Sequence, residues 1–180
     1  MKPNLSTLFT LLFTLVLMSC APEDNSVPVE NVNEFTFNTE TYDLVTAIIN
    51  DNSTATNPSN IGITLTNKSN TESVSNGDID DFTFVYFDIQ AITLQATTYN
   101  NIEDYDVSVN GSVVNSVFSP GTVLLSDNDP DADVYAQSGS VIITNFTAFN
   151  IDFTFTFTRT DGQVISGRYN GSYLAPNGID

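Results

Sequence analysis

Residues 151–173 constrain this chain more than any other stretch; they read I-D-F-T-F-T-F-T-R-T-D-G-Q-V-I-S-G-R-Y-N-G-S-Y. From Ile151 to Thr158 apolar and polar residues alternate without a break. Ile151, Phe153, Phe155 and Phe157 therefore share one face of a strand, and Asp152, Thr154, Thr156 and Thr158 the other. Asp161-Gly162 marks a turn, and register decides its type, because a slip of one residue turns a whole strand over. A two-residue loop sets Phe157 against Ser166 and Phe155 against Arg168, leaving Ile165 and Tyr169 on the threonine face. A three-residue loop, Thr160-Asp161-Gly162 with Gly162 left-handed, sets Phe157 against Ile165, Phe155 against Gly167, Phe153 against Tyr169 and Ile151 against Gly171. Every large apolar group then faces one way, so the three-residue loop is expected. Gly167 and Gly171 are expected to leave room for the side chains opposite them.

The rest of the chain follows the same grammar. Phe35-Thr36-Phe37, a turn at Asn38 to Glu40, and Tyr42 to Ile49 predict an opening hairpin. Asp51 to Asn60 reads as loop, and Ile61, Ile63 and Leu65 as one buried strand face. Asn67 to Asp81 is too polar for the core. Phe82 to Ala91 is apolar on both faces, which predicts a central strand covered on two sides. Ile92 to Tyr99 carries a weaker pattern. Asn110-Gly111, between Asp106 to Asn110 and Ser112 to Phe118, predicts a two-residue hairpin. Ser119-Pro120-Gly121 predicts the next turn, Thr122 to Leu125 a short strand, Val134 to Gln137 a brief pairing and Ser140 to Phe146 a strand. No stretch holds a helical apolar period for three turns. The expectation is an all-β domain, an antiparallel β-sandwich or flattened β-barrel of about nine or ten short strands, with no substantial helix.

Before that domain, Leu5 to Met18 is an apolar run too short to cross a bilayer and of the length of a secretory signal. It ends in Leu17-Met18-Ser19-Cys20, which resembles the lipobox of bacterial lipoproteins, and Cys20 is the chain's single cysteine. The resemblance implies cleavage before Cys20 and acylation of its thiol and amino group, enough hydrocarbon for stable attachment to a lipid bilayer. The organisation expected is a signal peptide over residues 1–19, a disordered acidic tether over 20–34, one domain over 35–175 and a tail over 176–180. Glu23 and Asp24 resemble the acidic export signal of surface lipoproteins in the Bacteroidota.

Two further patterns point the same way: F-T-F-N-x-x-x-Y-D-L over Phe35 to Leu44, and G-S-V-I-I-T, F-T-F-T, D-G-Q-V and G-R-Y-N-G-S-Y between Gly139 and Tyr173. They resemble a poorly characterised group of Bacteroidota surface lipoproteins. That resemblance implies an all-β domain at the outer face of the outer membrane, and it transfers no catalytic residue.

Charge and composition narrow the function classes. Asp and Glu number 22 against 4 Lys and Arg, a formal net charge of −18, so the surface repels phosphate backbones and no nucleic-acid partner is expected. The same charge favours a dispersed monomer. Histidine is absent, which removes the commonest general base and metal ligand and every Ser-His or Cys-His nucleophile. Asp127, Asp129, Asp131 and Asp133 space four carboxylates for a calcium loop, although Ala132 and Ser138 replace the glycine and glutamate of an EF-hand. Asp78, Asp80 and Asp81 form a second acidic cluster, and Glu103, Asp104 and Asp106 a third. Tyr86, Tyr99, Tyr105 and Tyr135 are candidates for stacking on a sugar ring or for plain core filling. Arg159 and Arg168 are the only arginines; Arg168 falls opposite Thr154 and diagonal to Asp152, a place for a modest surface ion pair. The leading expectation is a lipid-anchored, non-catalytic surface protein binding an extracellular ligand, with glycan the first candidate. The alternative is a structural or adhesive protein acting through protein contacts.

Overall fold

The computed structural model of the chain describes residues 33–52, 59–73, 77–127 and 134–178. Among them are twelve strands and one helical turn, α1 (Asn70–Ser73). In chain order the strands are β1 (Glu34–Phe37), β2 (Glu40–Asp43), β3 (Thr46–Asp51), β4 (Ser59–Thr66), β5 (Ile79–Ala91), β6 (Thr98–Tyr99), β7 (Ile102–Val114), β8 (Val117–Ser119), β9 (Thr122–Ser126), β10 (Ala136–Phe146), β11 (Asn150–Arg159) and β12 (Val164–Leu174). The fold is all-β and sandwich-like. The hydrogen-bonded order is β6-β10-β11-β12-β3-β4-β5-β7-β8, with β1 beside β12, β2 beside β1 and β9 beside β7, and the ends β6 and β8 do not join into a barrel.

The β11–β12 hairpin has the register its side chains demand. Phe157 pairs with Ile165, Phe155 with Gly167, Phe153 with Tyr169 and Ile151 with Gly171. The loop is Thr160-Asp161-Gly162: the Arg159 amide donates to the Gln163 carbonyl at 2.9 Å, the Gly162 amide donates to the Arg159 carbonyl at 2.9 Å, and Gly162 has φ +83°. Gly167 makes the predicted room, since a Cβ there would stand 2.4 Å from Phe155 Cζ. Gly171 differs, because the nearest group is the Tyr169 ring of its own strand, 3.3 Å away at the hydroxyl, and not Ile151.

β12 joins a first sheet, of β1, β2, β6, β10, β11 and β12, to a second, of β3, β4, β5, β7, β8 and β9. Along one edge it pairs with β11; along the other it takes β1 antiparallel over Ile165 to Arg168 and then β3 parallel at Tyr173 and Leu174. That parallel contact makes the sheet mixed, where an antiparallel one was expected. Between the sheets lies a single apolar core. Phe87 of β5 meets Phe153, Phe155 and Phe157 of β11 with ring centroids 6.2, 6.0 and 5.3 Å apart. Burying each such ring stabilises the fold by about 1.5–3 kcal/mol, and ring pairing adds about 0.5–1.5 kcal/mol.

Other expectations need correction. The strands number twelve, and five of them run ten residues or more: β5, β7, β10, β11 and β12. Tyr42 to Ile49 is two strands, because the chain crosses from one sheet to the other at Leu44-Val45, where the Leu44 amide donates to Asn33 and the Val45 amide to Thr66. Asn110-Gly111 is no hairpin turn. β7 runs straight through it, Asn110 takes φ +54° as a bulge, and a Cβ on Gly111 would lie 2.7 Å from the Ser119 carbonyl oxygen and 3.1 Å from that of Phe82. The reversal comes at Asn115-Ser116, both with positive φ, and Ser119-Pro120-Gly121 is a kink between β8 and β9, which follow one another along the same edge of β7. The loop expected over Asp51 to Asn60 is shorter than read, since Asp51 ends β3 and Ser59 begins β4; its centre lies outside the described residues.

Candidate ligand-binding face

β5 is the central strand of the second sheet, and its alternation sorts its side chains. Val85, Phe87 and Ile89 enter the core, fully buried. Phe84, Tyr86, Asp88 and Gln90 therefore project from the opposite, outward face. Register brings complementary residues beside them: Asn60 and Gly62 of β4 lie opposite Gln90 and Asp88, and Glu103, Asp106 and Ser108 of β7 lie opposite Asp88, Tyr86 and Phe84. β9 adds Ser126 opposite Asp106.

Asp88 organises the polar half of this face. It is only 3% exposed, and its carboxylate accepts hydrogen bonds from Asn60 Nδ2 at 2.7 Å and the Tyr86 hydroxyl at 2.8 Å. Gln90 Nε2 donates to Asn60 Oδ1 and to Glu103 Oε2, the latter at 3.0 Å. Gly62 leaves the space in which Asp88 and Tyr86 meet, since a Cβ there would stand 3.1 Å from both Asp88 Oδ1 and the Tyr86 oxygen. Burial raises the Asp88 pKa, the Tyr86 and Asn60 hydrogen bonds pull against it, and Asp104 raises it further. Tyr86 is likewise raised, by burial first and then by its bond to Asp88. Asp106 accepts from Ser126 Oγ at 2.9 Å, and burial leads the causes that raise its pKa.

The apolar half is a strip of rings. Phe84 stacks toward Tyr86 at 6.3 Å and packs on Phe118 of β8 at 5.5 Å; Phe82 meets Phe118 edge-on at 5.7 Å. Phe118 stays 42% exposed. Beside the strip is an open depression of ≈ 350 Å³ lined by Phe84, Asp106, Ser108, Phe118, Pro120 and Val123. Its volume is that of a small-molecule site, and aromatic faces next to carboxylate and amide acceptors can hold a ligand with one flat apolar side and a polar rim.

The sequence candidates are dispersed. Glu103, Asp104 and Asp106 do join this face, as does Tyr86. Asp78 instead accepts from the Asn115 amide at 3.1 Å and supports the β7–β8 turn, with Asp80 and Asp81 exposed at the start of β5. The Tyr99 hydroxyl accepts from the Gln95 amide at 3.0 Å, Tyr105 is core, its pKa pushed up to about 12 by burial, and the half-buried Tyr135 accepts from the Thr160 amide at 2.9 Å through its carbonyl. Arg168 lies opposite Thr154 as expected. Asp127 is exposed and its amide donates to the Tyr105 carbonyl at 2.9 Å; Asp129, Asp131 and Asp133, with the calcium loop they would form, lie outside the described residues, as does Cys20. Among the described residues no three His, Cys, Asp or Glu are grouped to hold a metal.

Asp88, Asn60, Gln90, Phe84, Phe118 and Ser126 were not singled out from sequence. One signal was there: an aspartate in the middle of Phe82 to Ala91, on the face opposite Phe87. No family model, curated protein or solved structure matches this chain. No helix among the described residues is long and apolar enough to cross a membrane.

Proposed function

We propose that the chain is a lipid-anchored, non-catalytic surface protein of the outer membrane that binds an extracellular glycan across the outward face of its second sheet. The observation that carries this is the strip Phe118, Phe84, Tyr86 running into the Asp88 network. A pyranose ring presents an apolar face and a rim of hydroxyls; the strip suits the first, and Asp106, Glu103 and Gln90 the second. The lipobox-like Leu17-Met18-Ser19-Cys20 supports attachment through an acylated Cys20. Affinity electrophoresis of the mature chain through gels containing neutral polysaccharides tests the reading. Retardation by at least one of them, abolished by Phe118→Ala without a change in melting temperature, is the expected result. Free mobility of the folded protein in every gel overturns it.

One observation favours the adhesive alternative. β8 ends the hydrogen-bonded order, and the β8–β9 edge leaves Val117 68%, Phe118 42% and Val123 37% exposed, an edge to which a partner strand can add. Concentration-dependent assembly lost on Val117→Lys, with no glycan retardation, selects that reading.

A further inference from the structure

The end of the first sheet where β10 turns into β11 differs from the rest of the surface. Phe149, at the tip of that turn, is 78% exposed, the most exposed large apolar side chain among the described residues. It is held there firmly: the Thr147 amide donates to the Asn150 carbonyl at 2.9 Å, and Thr147 Oγ1 accepts from the Phe149 and Asn150 amides at 3.3 and 3.0 Å. Behind it the Phe146 and Tyr173 rings stack at 5.7 Å, and the Tyr173 hydroxyl donates to the Thr147 carbonyl at 2.8 Å. Phe146, Thr147, Ala148, Tyr173, Ala175 and Gly178 line an open depression of ≈ 380 Å³ beside the turn.

Charge sets this end apart. In a chain of net charge −18, neither 134–151 nor 169–178, which build the turn and its neighbours, contains a charged residue. The start of β1 also lies here. β1 runs antiparallel to β12 from Glu34 opposite Arg168, and Asn33 Oδ1 accepts from the Asn170 amide at 2.7 Å. Asn33, where the described residues begin, therefore lies on the side on which β12 ends and the β10–β11 turn lies. Between Cys20 and Asn33 stand residues 21–32, which reach at most about 40 Å.

We propose that the β10–β11 turn, with Phe149 at its tip, is a second and non-covalent contact with the lipid bilayer. This rests on the lipid-anchored reading above. An aromatic side chain on an uncharged turn, with Asp152 opposite Asn145 and Asn170 the first carboxylate behind it, suits the boundary between headgroups and acyl chains, where the remainder of so acidic a surface is repelled by anionic lipids. The contact gives the domain a second point of attachment, which sets its orientation to the bilayer.

The chain contains no tryptophan, so Phe149→Trp supplies a single indole reporter. Intact mass first establishes whether Cys20 is acylated. The acylated chain is then reconstituted in phosphatidylcholine vesicles with and without brominated acyl chains, and Phe118→Trp is measured alongside as a reporter on the outward face. Emission lost to brominated lipid in Phe149→Trp and retained in Phe118→Trp is the expected result. Retained emission in Phe149→Trp, or equal loss in both, overturns the proposal. If the mass shows no acyl groups, the anchoring reading fails on its own, and coupling the chain that begins at Cys20 to maleimide lipid through that thiol repeats the quenching test with the same two outcomes.

Discussion

Arg159 Nη1, on β11, donates to the Leu124 carbonyl oxygen on β9 at 3.0 Å, joining the two sheets through one guanidinium. The same group pairs with Asp161 at 2.7 Å and lies 5.3 Å from the Phe37 ring centroid. It is 8% exposed, so its removal leaves a buried carbonyl and an unfilled space. Arg159→Ala is expected to lower stability by about 2–3 kcal/mol, read as a lower urea midpoint at constant slope. Arg159→Lys recovers only part of the loss, because an ammonium cannot reach Leu124, Asp161 and the ring in one plane.

Two glycines with different reasons for being glycine should respond differently. At Gly111 the obstacle is space, with backbone oxygens of Ser119 and Phe82 at 2.7 and 3.1 Å from a built Cβ. At Gly162 there is nothing within 4 Å and the obstacle is φ +83° alone. Gly111→Ala is expected to cost about 2 kcal/mol or more and Gly162→Ala about 1 kcal/mol. Gly162→Asn costs less than Gly162→Ala, since asparagine tolerates the left-handed region better. Thermal unfolding of the three variants checks the order.

Gly167 lies beneath a ring. A Cβ there meets Phe155 Cζ at 2.4 Å and Phe35 Cβ at 2.6 Å, so Gly167→Ala should destabilise by about 1–3 kcal/mol. In a Phe155→Leu background the smaller side chain yields room, and the added penalty shrinks. A double-mutant cycle with no coupling would contradict the packing described here.

Stability should fall as pH rises through mild acid. Asp88 and Asp106 have raised pKa values, chiefly from burial, so the folded chain holds these protons more tightly than the unfolded one. Their contribution is present below the ordinary aspartate range and is lost as pH climbs from about 4 through the raised values. Glu72, held low by its hydrogen bonds to Ser69, has the opposite sign. Urea midpoints taken across this range should decline with pH in the native chain, and less steeply in Asp88→Asn and Asp106→Asn.

The hairpin was legible because its two strands constrain each other: only one loop length keeps Phe157, Ile165, Phe153 and Tyr169 together. Asn110-Gly111 misled because a bulge asks for the same chemistry as a turn, a residue that accepts positive φ next to one without a side chain. The true reversal, Asn115-Ser116, contains no glycine at all. The crossing at Leu44-Val45 was hidden because Tyr42, Leu44 and Ile48 carry one apolar alternation across it in the sequence, whereas the second strand buries Ala47 and Ile49 instead.

The candidate face was harder. It draws on Asn60, Asp88, Glu103, Phe118 and Ser126, residues from five strands whose adjacency depends on sheet order, and order is not written in any single stretch. Tyr86 and the cluster Glu103, Asp104 and Asp106 could be named because each stands out alone. Phe118 could not, since its partners Phe82 and Phe84 are brought to it by the β7 bulge and the kink at Pro120.

Thr36 and Ser166 hydrogen-bond across 130 positions of sequence, because β1 has its seat on the final strand. A polypeptide that leaves its ribosome or crosses a membrane from the front end first exposes Phe35 long before Gly167 arrives to receive it. Until Val164–Leu174 has emerged, β1 and β3 lack a neighbour on that side, and the early segments cannot complete their sheets. Closure becomes the last act of emergence, with the N-terminal strands waiting for the C-terminal one when it happens.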